Sequence, residues 1–177
     1  YNVMKEPSVE QIKDMILLAQ ADLNAAGITG VETDNFLSLP GRNSRNIMAA
    51  YKELENENKL TLRVREQASF TAFEDMKKFI DDGNRTGDGG EYYTVGPVKL
   101  YEDGSLGART ALMNNCYIGT DTCGVAVHDR EDTDRLVDYA YKNNMQILIH
   151  AIGDKASDMV MDALSLIHIS EPTRRRG

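Results

Sequence analysis

The sequence is short of cysteine, of cations and of long apolar runs, and each shortage removes a class of protein. Two cysteines in 177 residues are too few for a disulfide framework. Their Cys-x6-Cys spacing matches no zinc motif, so Cys116 and Cys123 read as two reduced thiols in a loop. That reading favours a reducing compartment, and the cytoplasm is the expected location. Twenty Lys and Arg stand against 28 Asp and Glu, for a net charge of −8 and a pI near 4.9. Neutralising phosphates takes clustered cations, so no nucleic-acid or anionic-membrane partner is expected. No apolar run approaches the roughly 18–20 residues that span a bilayer. The chain opens on Tyr1 with no basic-then-apolar leader, which leaves room for a signal peptide upstream. What is present, 41% hydrophobic and 27% charged residues, is the mix of about one globular domain.

The apolar spacing alternates between helical and extended. Ser8 and Gln11 form a capping box ahead of a stripe at Val9, Ile12, Ile16, Ala19, Leu23 and Ala26, with Gly27 placed to close the helix. A strand is expected over 28–33, then a helix over 44–57 with Ile47, Ala50, Tyr51 and Leu54 on one face. Residues 61–66 alternate as a strand, and Thr71 with Glu74 predicts a second capping box for a helix ending near Asp82 and Gly83. A Gly-rich stretch leads to a strand over 93–101 that contains Pro97. Asp132 or Thr133 should cap a helix through Tyr141 that exits at Asn143 and Asn144. A strand over 146–150 and a helix from near Asp154 complete the pattern. Such alternation builds an α/β fold with a parallel sheet, either a closed (β/α) barrel or an open doubly wound sheet. A barrel takes roughly 250 residues and eight units, and this chain supplies about half of those units. No internal repeat suggests another organisation.

Residues 164–174 read Leu-Ser-Leu-Ile-His-Ile-Ser-Glu-Pro-Thr-Arg, which resembles the in-frame translation of a transposon-end sequencing adapter. The expected division is therefore a natural part over 1–163 and an adapter-derived tail over 164–177. His168, Glu171 and the run Arg174, Arg175, Arg176 carry no functional weight on that reading, and the last helix is truncated.

Two segments carry the candidate chemistry. In Val98-Lys99-Leu100-Tyr101-Glu102-Asp103-Gly104-Ser105-Leu106-Gly107, a lysine interrupts an apolar strand, where lysine is rarely buried without a partner. Strand alternation puts Lys99 and Tyr101 on one face. A buried amine is more easily neutral, and a neutral amine reacts with carbon dioxide to give a carbamate that bridges metal ions. A surface salt bridge at a strand edge is the plainer use of Lys99. In Ile149-His150-Ala151-Ile152-Gly153-Asp154, a histidine ends an apolar strand, where a neutral imidazole is well placed to ligate a metal, with Asp154 placed to orient it. A hydrogen-bonded structural histidine is the plainer use of His150.

Together these blocks resemble family 3 of the amidohydrolase superfamily, the metal-dependent hydrolases. Lys99, residues 103–107, Thr110 and Ala111 match one family motif, and residues 149–154 with Ala156 match a second. The resemblance runs through about 25–163. It implies part of a (β/α)8 TIM-like barrel, about strands 2–5 with their helices, and one or two divalent metals, usually zinc. It makes Lys99, as the amine or its carbamate, and His150 the metal ligands, with Asp103 and Asp154 behind them or on the substrate side. It implies metal-activated water attacking a non-peptide C–N bond, of the amide or formamide kind, in a small-molecule substrate. A homo-oligomer is possible for the full-length protein.

The family's early His-x-His pair, later histidine and later aspartate have no counterpart here, and His128 lies in an acidic loop outside either motif. No residue is assigned as the catalytic base and no organic cofactor is expected. The chain reads as an internal fragment with little activity and poor solubility, because part of a barrel exposes strand edges. A non-catalytic barrel relative that binds a small metabolite is the alternative, and an acidic α/β domain without metal is the third. Residues 82–93 echo a calcium loop, but Tyr93 stands where a bidentate Glu belongs, so a solvated hairpin or lid loop is expected. Residues 104–107 lack the Walker lysine of a phosphate cradle.

Overall fold

The computed structural model describes residues 5–169, with side chains through 167. Glu171, Arg174, Arg175, Arg176 and the His168 side chain lie outside the described residues. Helices and strands alternate as α1 (Val9–Ala25), β1 (Gly30–Thr33), α2 (Ser44–Asn56), β2 (Arg63–Ser69), α3 (Phe73–Asp81), β3 (Tyr93–Tyr101), α4 (Arg130–Lys142), β4 (Ile147–His150) and α5 (Asp154–Ile169). The strands are neighbours in chain order, β1-β2-β3-β4. The β1–β2 pair is parallel, with Val31 opposite Val64 and Thr33 opposite Glu66. The chain divides into two compact units, residues 1–98 and 99–177.

In the first unit the expected capping box starts α1. Ser8 Oγ accepts the Gln11 N–H, and Gln11 Oε1 accepts the Ser8 N–H. Gly27, at φ +77°, closes the helix as expected. α1 packs on α2, and the core is built from Ile12, Ile47, Ala50, Tyr51, Leu54, Val64, Met76, Phe79, Ile80, Tyr93 and Val95. β2 runs three residues further than its alternation predicts and begins two later. The late start follows from Gln20, a buried side chain of α1 whose Oε1 accepts the Thr61 and Leu62 N–H groups at 2.8 and 3.3 Å, so those amides serve a side chain instead. The Thr71–Glu74 capping box does not form. Ala72 is the cap, without a side-chain hydrogen bond, and Glu74 and Asp75 supply negative charge to the first turn of α3 instead. The Gly-rich segment after α3 closes as a hairpin, with Gly89 bridged antiparallel to Thr94.

The second unit packs α4 against α5 around Leu136, Val137, Ala140, Ala156, Val160 and Ala163. The cap of α4 is Asp129, not Asp132 or Thr133. Its carboxylate accepts the Asp132 N–H at 2.9 Å, which frees Thr133 to point its hydroxyl at buried Glu102. The reading of two free thiols is also overturned: Cys116 and Cys123 form a disulfide. A tight reversal brings them side by side, with the Tyr117 N–H donating to Thr122 O and the Met113 N–H to Cys123 O. Sequence spacing alone cannot show such a turn. Among the described residues, no helix is long and apolar enough to cross a membrane.

Candidate metal centre

The geometry around Lys99 and His150 lies within the second unit. Lys99 precedes the end of β3 by two residues and His150 is the last residue of β4. Both therefore stand at carboxyl ends of parallel strands, where α/β barrels carry their chemistry. Alternation along β3 is clear in the burial: Val98 and Leu100 are buried on one face, while Lys99 and Tyr101 share the other and are half-buried. The Lys99 ammonium lies over the Tyr101 ring, 4.8 Å from its centroid. The same ring lies 5.5 Å from the His150 imidazole, tilted by 41°. Lys99 and His150 thus share contact with one aromatic ring.

The two motif segments are fastened together by Asp103, which is 3% exposed. Its Oδ2 accepts the N–H groups of Leu112 at 2.9 Å and Gly153 at 2.7 Å, and its Oδ1 accepts the Ile152 N–H at 2.9 Å. A carboxylate that accepts three amides makes charge-assisted bonds about twice as strong as neutral ones. Two glycines permit the close approach. A Cβ on Gly104 would run into the Thr110 side chain, and one on Gly153 into the Leu112 backbone. Thr110 closes its own loop, its Oγ1 accepting the Ser105 N–H at 3.0 Å. Asp103, Gly104, Thr110 and Gly153 are therefore spent on holding the segments in place.

His150 Nε2 lies 2.8 Å from Gly104 O. A carbonyl only accepts, so Nε2 carries the hydrogen, and in the neutral ring Nδ1 holds the lone pair. The carboxylate beside the ring is Asp103, with Oδ1 3.7 Å from Nε2. Asp154, which the sequence puts both near His150 and at a helix start, is the first residue of α5. Its Oδ1 accepts the Asn114 and Lys155 N–H groups, each at 2.8 Å, and the Asn114 bond leads in holding its carboxyl below the usual range.

Sequence reasoning overlooked two buried carboxylates. Glu102, 1% exposed, accepts the Thr133 hydroxyl at 2.9 Å, and its Oε2 is 3.9 Å from Nδ1 of His128. Burial pushes the Glu102 carboxyl up and the His128 imidazole down. His128 is thus folded against β3 and not simply part of a loop. Glu66, in β2 of the first unit, is fully buried, and burial raises its carboxyl to about 8. Glu66 alternates in phase with the buried Val64 and Ala68 of β2, and Glu102, one residue past β3, continues the phase of Val98 and Leu100; that inward phase is the signal the sequence offered.

The donors present suit a borderline cation in kind: one imidazole nitrogen with a free lone pair and one amine able to become a carbamate. They fall short in number, since no three His, Cys, Asp or Glu side chains converge among the described residues.

The whole sequence, residues 1–177, matches the amidohydrolase family. The chain belongs to amidohydrolase family 3. Among curated proteins it is 42% identical over 76 residues to YtcJ of Bacillus subtilis (strain 168), which is named as an amidohydrolase, covering 42% of this chain and 14% of that one. It is 39% identical over 87 residues to the Arabidopsis thaliana protein LONG AFTER FAR-RED 3, covering 49% of this chain and 15% of that protein. Two crystal structures of uncharacterized metal-dependent hydrolases are similar. The one from Pyrococcus horikoshii OT3 aligns at a TM-score of 0.76 and 32% identity, over 90% of this chain and 31% of that one. The one from Pyrococcus furiosus aligns at 0.72 and 28%, over 92% and 32%. This family 3 chain thus spans about a third of the solved relatives, and its fold is that of a partial (β/α) barrel.

Proposed function

We propose that this chain is part of a metal-dependent hydrolase acting on a non-peptide C–N bond of a small molecule, with Lys99 and His150 among its metal ligands. The observation that carries the reading is their placement at adjacent strand ends, both against the Tyr101 ring. A bound divalent metal, zinc on this reading, supplies Lewis acidity toward the carbonyl under attack and lowers the pKa of water. His150 offers Nδ1 because Gly104 O occupies the Nε2 hydrogen. Lys99, in its neutral form, adds carbon dioxide to give a carbamate and releases one proton, which converts an amine into an anionic oxygen donor. Asp103 keeps the segment after β4 in register with the segment after β3, so both donors keep their places. Two donors alone do not make a tight site. The isolated chain is therefore expected to turn over no substrate.

The test is metal content and hydrolysis of amide and formamide panels in the protein that carries this chain, alongside Lys99→Ala and His150→Ala. Loss of bound metal and of turnover in both variants supports the reading. Unchanged metal and turnover in Lys99→Ala sinks the carbamate role. Stoichiometric metal without turnover of any C–N substrate favours a non-catalytic relative.

A further inference from the structure

Tyr101 touches both of the residues assigned to the metal, and neither motif gives it a role. Its ring lies 4.8 Å from the Lys99 ammonium and 5.5 Å from the His150 ring. Lys99 makes no ion pair among the described residues, and the described contact of its charged end is the Tyr101 π face. Lysine has a flexible four-carbon stem, so a half-buried amine without a carboxylate partner sweeps a wide arc unless something holds it. A ring face supplies that hold through the attraction of a cation to the aromatic quadrupole. Because Tyr101 follows Lys99 by two residues, the strand presents both on one face, and the ring reaches the end of the neighbouring strand where His150 stands.

We propose that Tyr101 is a positioning residue: its ring holds the unmodified Lys99 amine on the His150 side of the sheet and fixes the gap between the two donors. This rests on the assignment of Lys99 and His150 as ligands. Its physical content is separate, because it concerns where the lysine is before anything binds. The ring does the work, so Phe should replace Tyr101 and Leu should not.

The experiment is NMR on the intact chain with labelled Lys and His, using cobalt(II) chloride alone as a paramagnetic ruler bound at His150. In the wild type the Lys99 ε-methylene protons should be shifted upfield by the Tyr101 ring current, and cobalt should broaden them together with the His150 ring signals. Tyr101→Phe should keep both effects. Tyr101→Leu should abolish the upfield shift and cut Lys99 broadening about threefold or more at equal His150 occupancy, as expected once the cation–π restraint is lost. Equal broadening in Tyr101→Leu and wild type overturns the inference. So does a wild-type Lys99 signal at its random-coil position, a measurement that stands even if Tyr101→Leu fails to fold. If cobalt leaves the His150 signals untouched, as two donors alone allow, the ring-current shift decides the role of Tyr101 by itself, and the ligand assignment is judged on metal content of the protein that carries this chain.

Discussion

Replacing Glu66 with Gln should change how stability depends on pH. Glu66 is fully buried in β2, and its Oε1 accepts the Asn35 N–H at 2.8 Å. Its Oε2 has no hydrogen-bond partner among the described residues, nor does the Tyr93 hydroxyl. Burial raises its carboxyl from 4.5 to about 8, and the nearby Asp34 charge adds to the rise. The folded state therefore holds this proton over a pH range where the unfolded state has lost it. Stability is fully present below pH 4.5 and declines as pH rises toward 8. At about 1.4 kcal/mol per pH unit, the loss is roughly 3 kcal/mol by pH 7 and about 5 kcal/mol above pH 8. Gln keeps the acceptor for Asn35 and cannot ionise. Its extra N–H, if left unpaired, costs about 1–3 kcal/mol at every pH, which offsets the curve without tilting it. The assay is urea unfolding of both proteins from pH 4 to 9, read as the variant-minus-wild-type difference, in which the other titrating groups cancel. The difference should move toward the variant by several kcal/mol across the range. A difference that stays flat would refute the buried, proton-bearing Glu66.

The Asp103 fastener should be similarly exposed by substitution. Asp103→Asn puts an amide donor where one of three N–H groups now finds an acceptor, and should cost about 2–4 kcal/mol in chemical unfolding while shifting the His150 ring signals. Gly153→Ala drives a methyl into the Leu112 backbone and should cost at least as much, whereas Gly107→Ala, which meets nothing within 4 Å, should unfold like wild type. Lys13, buried in α1, bonds Glu57 at 2.7 Å, Glu53 at 3.2 Å and Glu10 at 3.3 Å. Lys13 first, then Lys59, holds the Glu57 carboxyl down to about 2, so its contribution should be present above about pH 4.5 and fade as pH falls toward 2. Lys13→Gln should flatten that acid limb, and an unchanged limb would show the cluster contributes nothing. Deleting 164–177 should leave the unfolding midpoint unchanged, because the last buried side chain described in α5 is Ala163.

The order of helices and strands was legible because amphipathic spacing is a local property, and the core of α2 at Ile47, Ala50, Tyr51 and Leu54 appeared where its stripe placed it. The errors came where a distant side chain took over the backbone. Gln20 displaced the start of β2, and Asp129 captured the cap of α4 ahead of two equally suitable residues. The Cys116–Cys123 pair was missed because pairing depends on a turn, and the turn carries no periodicity. At the candidate site, Lys99 and His150 stood out as polar interruptions of apolar strands. Asp103 was singled out without its partners: these come from residues 112, 152 and 153, and separations of nine to fifty positions leave no trace in spacing.

That division of labour bears on how the motif should be read. An Asp-Gly four residues after a strand-end lysine invites a catalytic role for the carboxylate. Here both Asp103 oxygens are occupied by backbone amides, so the side chain is poorly placed to accept a substrate proton. The imidazole next to it takes its tautomer from Gly104 O at 2.8 Å rather than from Asp103 at 3.7 Å. A backbone carbonyl does not titrate, so this orientation of His150 persists at any pH at which the ring is neutral. The fold thus assigns the charged group to fixing loops and the neutral carbonyl to steering the histidine. In consequence, Asp103→Asn should weaken metal binding at His150 only in proportion to the structural loosening it causes. A loss of metal affinity without any loss of stability would show instead that Asp103 acts on the site directly.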